Sequence, residues 1–399
     1  MALLLVVSAA VQGIADVLST VALVTSAGYR GVIALWAVDA AIALTGITLL
    51  APWLQRIRPR RLAMALLAGF GAALALIWAA TRGGQAAPGW WMAVGIVNTL
   101  QSNLVVLAAW TLARDTFAEN QAIRLFGPLN GLAYVGTLVG TGWAALAAGS
   151  SETAWLLPAC AGMLGAAALI LPWLSHPVLH VAPSQPQQSV ANLWRHPVVR
   201  WLGMLELGNG VTWTVMSLAV VAVLQLEPGG SDALQRSYGE LKFFGPLLQS
   251  LMQISLAGPL LRRIGYGRVL LSTPVALLLG LLGLALYPGL LAVWLATALL
   301  QVAYGAEGAA SQATLMKAPE SLRAAAGAWV TGQLPQLGYL IGCAGLALGE
   351  GAAVVLAIPA ADSGRWMAAA GVATALAGMG VWRRLYVALG PAAVTQTRT

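Results

Sequence analysis

Charge is what this sequence lacks most. Asp, Glu, Lys and Arg together make up 9% of the 399 residues, whereas a soluble domain carries about 25%, so a water-soluble surface cannot be built from this inventory. Cysteine is nearly absent as well. Cys160 and Cys343 both lie inside apolar runs with no partner at metal-ligand spacing, and they read as reduced packing residues. The three histidines, His176, His180 and His196, share one polar segment away from any run that could complete a metal site. There is no Ser-His-Asp context, no HExxH, and no glycine-rich phosphate loop followed by lysine. Neither an enzyme nor a bound cofactor or metal is expected.

What is present is apolar: 59% of the chain, in runs of about twenty residues separated by short polar breaks. Each run is long enough to cross a hydrocarbon layer of about 30 Å as a helix, and barrel strands would instead show short alternating segments. The net charge of +8 would suggest nucleic acid in a soluble protein, but the basic residues sit in the breaks, with no stripe of interleaved aromatics. The bilayer explains the excess, and no nucleic-acid partner is expected.

The expected fold is therefore an all-α polytopic membrane protein. The spans fall near 2–25, 31–53, 62–80, 89–112, 125–148, 153–174, 199–225, 237–260, 269–287, 290–313, 326–348 and 365–387. The N-terminus, apolar from Ala2 with no basic residue before Arg30, reads as the first spanning helix rather than a cleaved signal. Basic residues concentrate on the cytoplasmic side. The even-numbered loops and the C-terminal tail hold 16 of the 21, against four on the opposite side and Lys242 within a span. That asymmetry predicts cytoplasmic N- and C-termini in an inner, or plasma, membrane.

The longest hydrophilic stretch, Ser175 to Val198, carries four prolines and divides the chain nearly in half. It reads as a cytoplasmic linker (175–198) tethering an N-terminal six-helix bundle (1–174) to a C-terminal one (199–399) without fixing one to the other, as a rocking mechanism requires. The halves also resemble each other. Gln55 to Leu62 after span two aligns with Arg262 to Val269 after span eight, and Gly136-x-x-x-Gly140 in span five matches Gly338-x-x-x-Gly342 in span eleven. Such a repeat is the mark of a parallel duplication, and the glycine pairs predict close helix packing.

Two sets of motifs carry a family resemblance. Gly258-Pro-Leu-Leu-Arg262-Arg263-Ile-Gly265-Tyr-Gly-Arg268 resembles the basic signature between the second and third helices of each half of the major facilitator superfamily, with Arg262 standing where that signature is acidic. The first-half copy, around Arg56 to Arg61, is more degenerate. Trp110 to Phe117 with Arg114, Arg124-Leu-Phe-Gly-Pro128, and Gly239-Glu240-Leu-Lys242-Phe-Phe-Gly245 are similar to the nucleotide-translocase-like branch, related to ATP/ADP exchangers. The resemblance implies two parallel six-helix bundles with helices one, four, seven and ten lining a central cavity. It also gives a gating role to Arg56, Arg61, Arg114, Arg124, Arg262, Arg263 and Arg268.

Charges at membrane depth cost about 2.5–3.5 kcal/mol each near a helix centre, so those present are expected to face a cavity or a partner. The candidates for a substrate or proton cavity are Asp16, Asp39, Glu206, Glu240, Lys242 and Glu307, joined by Asn98 and Gln101 on one face of span four and by Asn209 beside Glu206. Glu206 lies about eight residues into its helix and Glu307 about six from the end of its own, so at 1.5 Å per residue both sit roughly 9–12 Å from the cytoplasmic boundary. Their equal depths predict one shared site. The alternative is that each acid hydrogen-bonds a separate neighbour such as Asn209 or Gln301.

The leading functional expectation is a secondary transporter moving a small molecule by alternating access, with protons as the coupled ion and lipid as its surroundings. Two alternatives stand beside it: a non-transporting scaffold of a larger membrane complex, and an exchanger of nucleotides or other organic anions. A monomer is expected, with complex membership as the alternative.

Overall fold

The computed structural model describes residues 2–54, 59–81, 87–116, 119–174, 190–226, 228–315, 317–319, 322, 326–355 and 362–390. Among them there is no strand, and the apolar runs become helices: α1 (Ala2–Ala27), α2 (Tyr29–Leu54), α3 (Pro59–Thr81), α4 (Pro88–Thr116), α5 (Glu119–Leu146) and α6 (Thr153–Leu174). After the connector come the short α7 (Val190–Arg195), then α8 (Pro197–Gln225) and α9 (Gly230–Leu251). A π-helical turn, Met252–Ala257, carries α9 on into α10 (Gly258–Ile264), followed by α11 (Tyr266–Val269), α12 (Ser272–Leu286) and α13 (Leu290–Leu315). A second π-helical turn, Ala328–Gln333, leads into α14 (Leu334–Val355), and α15 (Ser363–Leu389) follows. Six helices among the described residues cross a bilayer by length and composition alone, and large apolar side chains such as Leu76, Trp173, Ile254 and Leu348 point outward.

Each of the twelve expected spans has its helix, with two differences. The span expected near 237–260 begins seven residues earlier, at Gly230. Its polar start still winds as helix because Leu234, Gln235, Tyr238, Gly239 and Leu241 bury one face at helical spacing. The stretch expected as a linker over 175–198 also carries helix at its end. Helix resumes at Val190, where Leu193 joins a core formed with Val199, Leu202, Val269, Leu315 and Leu385.

Contacts divide the chain into two compact units, Met1–Ser184 with Glu227–Pro246, and Gln185–Leu226 with Leu247–Thr399. The start of α9, which by sequence lies in the C-terminal half, thus belongs with the first unit. It is held there by Gln235, whose Nε2 donates to the Ala144 carbonyl at 2.8 Å, and by Gly239, which lies against Ala145.

Within each unit one helix is central. In the most apolar stretch of α1, 78% of residues are buried, and in α8 72%, against 28% in α3. The glycine pairs explain the close approach. A Cβ on Gly136 or Gly140 of α5 would run into the carbonyl oxygens of Val6 and Ala10 on α1. One on Gly338 or Gly342 of α14 would run into Leu207 and Thr214 on α8. Only a residue without a side chain lets these backbones touch.

Candidate functional site

In the first unit the polar residues of α1 recur every fourth position: Ser8, Gln12 and Asp16. This spacing makes a single stripe along the helix. Two rungs join the stripe to α4, which runs antiparallel to it. Gln101 Nε2 donates to Ser8 Oγ at 2.6 Å, and Asn98 Nδ2 to the Gln12 carbonyl at 3.4 Å. Asn103 turns away and donates to Thr99 on its own helix. Asp16 forms an ion pair with Lys242 of α9 at 2.9 Å, and the Lys242 ammonium also lies 5.2 Å from the centre of the Tyr238 ring. Asp39 of α2 is within electrostatic reach of Asp16. Three buried oxygens, Asp39 Oδ1, Asn98 Oδ1 and Gln101 Oε1, have no hydrogen-bond donor among the described residues.

The sequence count of five intramembrane acids against one base is therefore partly resolved: Asp16 and Lys242 neutralise each other. Glu240, two residues before Lys242, faces another side of α9 and lines a cleft with Arg236. It does not join the Asp16 cluster.

In the second unit the acids are held by a crossed pair of hydrogen bonds between α8 and α13. Ser311 Oγ donates to Glu206 Oε1 at 2.7 Å, while Asn209 Nδ2 donates to Glu307 Oε1, also at 2.7 Å. The pattern follows from antiparallel helices on which Glu206 and Asn209 are one turn apart, as are Glu307 and Ser311. Thr273 of α12 fills the other oxygen of Glu307 at 2.6 Å. Glu307 retains 3% of its surface, so its two donors replace lost water. Each acid has separate donors, as the alternative reading anticipates for Glu307 and Asn209. Yet the two carboxyl groups remain within electrostatic reach of each other and of Tyr304.

The two units share this design. The shift of 201 residues that carries Val6 to Leu207 and Ala10 to Val211, the contacts of the paired glycines, also carries Ser8 to Asn209. Ser8 and Asn209 are thus repeat-related, and each bonds across to a second helix, Ser8 to the neutral Gln101 and Asn209 to the acidic Glu307. Sequence reading missed Ser8, Gln12, Thr273 and Ser311. The fourfold spacing before Asp16 and the i+4 spacing from Glu307 were available signals for all but Thr273.

Of the loop-signature residues, Arg61, Arg262, Arg263 and Arg268 are exposed, and Gly265 ends α10 with φ of +80°, a conformation that favours glycine. Trp382 Nε1 ties this loop to α15 by donating to the Gly267 carbonyl at 2.7 Å. Arg56 and the side chains of Arg114 and Arg124 lie outside the described residues.

The profile of the Major Facilitator Superfamily matches residues 1–343. The chain belongs to that superfamily. As a member it is a multi-pass membrane protein and a secondary transporter of a small molecule, not an enzyme. Solved structures of the superfamily fold agree along nearly the whole length. A mutant of the nucleoside transporter NupG superposes with a TM-score of 0.71 at 14% identity, covering 95% of this chain and 98% of that one. A bacterial homologue of the human lysosomal transporter Spinster, inward-facing and unoccupied, gives 0.66 at 13%, covering 97% and 96%. An auto-inhibited peptide transporter of the POT family gives 0.64 at 13%, covering 96% of each chain. At these identities the likeness establishes the fold alone. No curated protein sequence matches.

Proposed function

We propose that this superfamily member is a proton-coupled transporter of the inner membrane, with both termini cytoplasmic, and that Glu206 and Glu307 form its proton site. The observation that carries the reading is the crossed Glu206–Ser311 and Asn209–Glu307 pairing, which sets the buried Glu307 and the half-buried Glu206 in one cluster that, among the described residues, includes no lysine or arginine. Two such groups in a low-dielectric site resist double ionisation, so a proton is shared and can be exchanged when the site opens. The first unit supplies the recognition side of the same reading. Asp39 Oδ1, Asn98 Oδ1 and Gln101 Oε1 are buried acceptors without donors, each costing about 1–3 kcal/mol until filled. A small molecule rich in hydrogen-bond donors would fill them.

The exchange of nucleotides or other organic anions, suggested by the nucleotide-translocase-like motifs, is supported less well. A polyphosphate needs several charge-assisted donors to offset its dehydration, and Lys242, the cation beside the polar stripe of α1, is taken by Asp16.

The experiment begins with a thermal-shift screen of the purified protein against metabolite classes, since a true ligand stabilises the fold by mass action. With that ligand in proteoliposomes, Glu307→Gln is expected to abolish gradient-driven accumulation while leaving counterflow exchange largely intact, and Glu206→Gln to reduce accumulation strongly. Full gradient-driven transport by both variants would overturn the proton site. Absence of any ligand and any transport, together with a stoichiometric protein partner in mild detergent, would favour the scaffold reading.

A further inference from the structure

The end of α5 and the start of α9 enclose a cleft of about 320 Å³ lined by Gly142, Ala145, Leu146, Arg236, Glu240 and Phe243. All six belong to the first unit. Arg236 and Glu240 are four residues apart on α9, a spacing within pairing reach, although with the base first the order is the less favourable one. Here neither takes part in an ion pair or a side-chain hydrogen bond among the described residues. The cleft thus presents an unpaired cation and an unpaired anion one helical turn apart. Its remaining walls are apolar, and Leu146 is 86% exposed at its mouth. From Leu146 a stripe of exposed apolar side chains runs back along α5 through Trp143, Val139, Val135 and Leu132, at the three-and-four spacing of one helix face.

We propose that this cleft binds the headgroup of an aminophospholipid of the phosphatidylethanolamine class. Arg236 takes the phosphodiester through its forked donors, Glu240 accepts from the primary ammonium, and the acyl chains lie along the α5 stripe. In the proposed topology this end of the bundle faces outward, so the lipid comes from the outer leaflet. Charge selects the class. A choline headgroup has no N–H to donate to Glu240, and a glycerol headgroup leaves that carboxylate facing an anion with no cation between them. The apolar stripe selects a lipid over a soluble zwitterion, which has nothing to place on it.

Native mass spectrometry of the detergent-purified, delipidated full chain tests this by titration with phosphatidylethanolamine, phosphatidylcholine and phosphatidylglycerol of the same chain length. The ethanolamine lipid is expected to be retained about tenfold better than the other two, the scale of one charge-assisted hydrogen bond. Glu240→Gln is expected to bring it down to the choline lipid without weakening the latter, and Arg236→Gln to weaken both. Glycerophosphoethanolamine, the headgroup without chains, is expected not to displace the lipid. Equal retention of the three lipids by the wild-type protein would overturn the proposal, and this arm needs no variant to fold. Unchanged selectivity in Glu240→Gln would also overturn it, as would displacement by glycerophosphoethanolamine as effective as by the lipid, which would indicate a soluble zwitterion.

Discussion

Asp16 and Lys242 illustrate how one contact changes the meaning of two residues. Alone, each is an expensive intramembrane charge, but at 2.9 Å they form a pair whose main effect is to neutralise both. Removing one partner strands the other. Asp16→Asn or Lys242→Met is expected to destabilise by about 1–3 kcal/mol, below the roughly 3–5 of a fully buried pair, because the side chains keep 28% and 33% of their surface. The double variant is expected to recover most of the loss, which thermal melting in detergent would read as a coupling between the two sites. Additive losses would mean that the pair contributes nothing as a pair. Glu307 and Glu206 differ in the same local way. Glu307 has both oxygens bonded, whereas the pairing described for Glu206 fills only Oε1, so the two acids are unequal despite their matched depths.

At the scale of elements the glycine pairs set how closely α5 approaches α1 and α14 approaches α8. Gly136→Leu and Gly338→Leu, and even Gly140→Ala, would drive a side chain into a neighbouring backbone that has no rotamer by which to yield. Each leucine variant is expected to lose well over 1–3 kcal/mol, the common cost of overpacking, and to show lower expression and melting temperature. Gly345→Ala, also on α14, is the matched control. A Cβ there meets nothing within 4 Å, so this variant is expected to melt at or slightly above the wild-type temperature. Wild-type behaviour of the leucine variants would mean that these helices do not meet at their glycines.

At the scale of the whole molecule the uneven loop charges predict orientation. Reporter fusions after residue 399 and within the Gln185–Gln188 stretch are both expected to report cytoplasm, and an external signal at either would overturn the topology. The superfamily fold accommodates that prediction because an even number of spans returns the chain to its starting side.

The sequence by itself determined the class of protein. Scarce charge and recurring twenty-residue apolar runs leave helices as the structure that satisfies the backbone in lipid, and the repeat of glycine pairs and basic loops reveals the duplication. It also marked most of the polar residues that the fold gathers into the two candidate clusters, because an acid at membrane depth stands out against leucine and alanine. What it could not supply was pairing. Nothing in the local sequence tells that Lys242 answers Asp16 across more than two hundred residues, or that Thr273 completes the shell of Glu307. Nor does it tell that Glu240 stands apart from Lys242 with Arg236. Those outcomes depend on which helix faces pack together. That is decided by side-chain volume and close approach summed over whole helices, so only the tertiary structure turns a list of costly residues into a neutralised pair, an acidic rung and an open cleft.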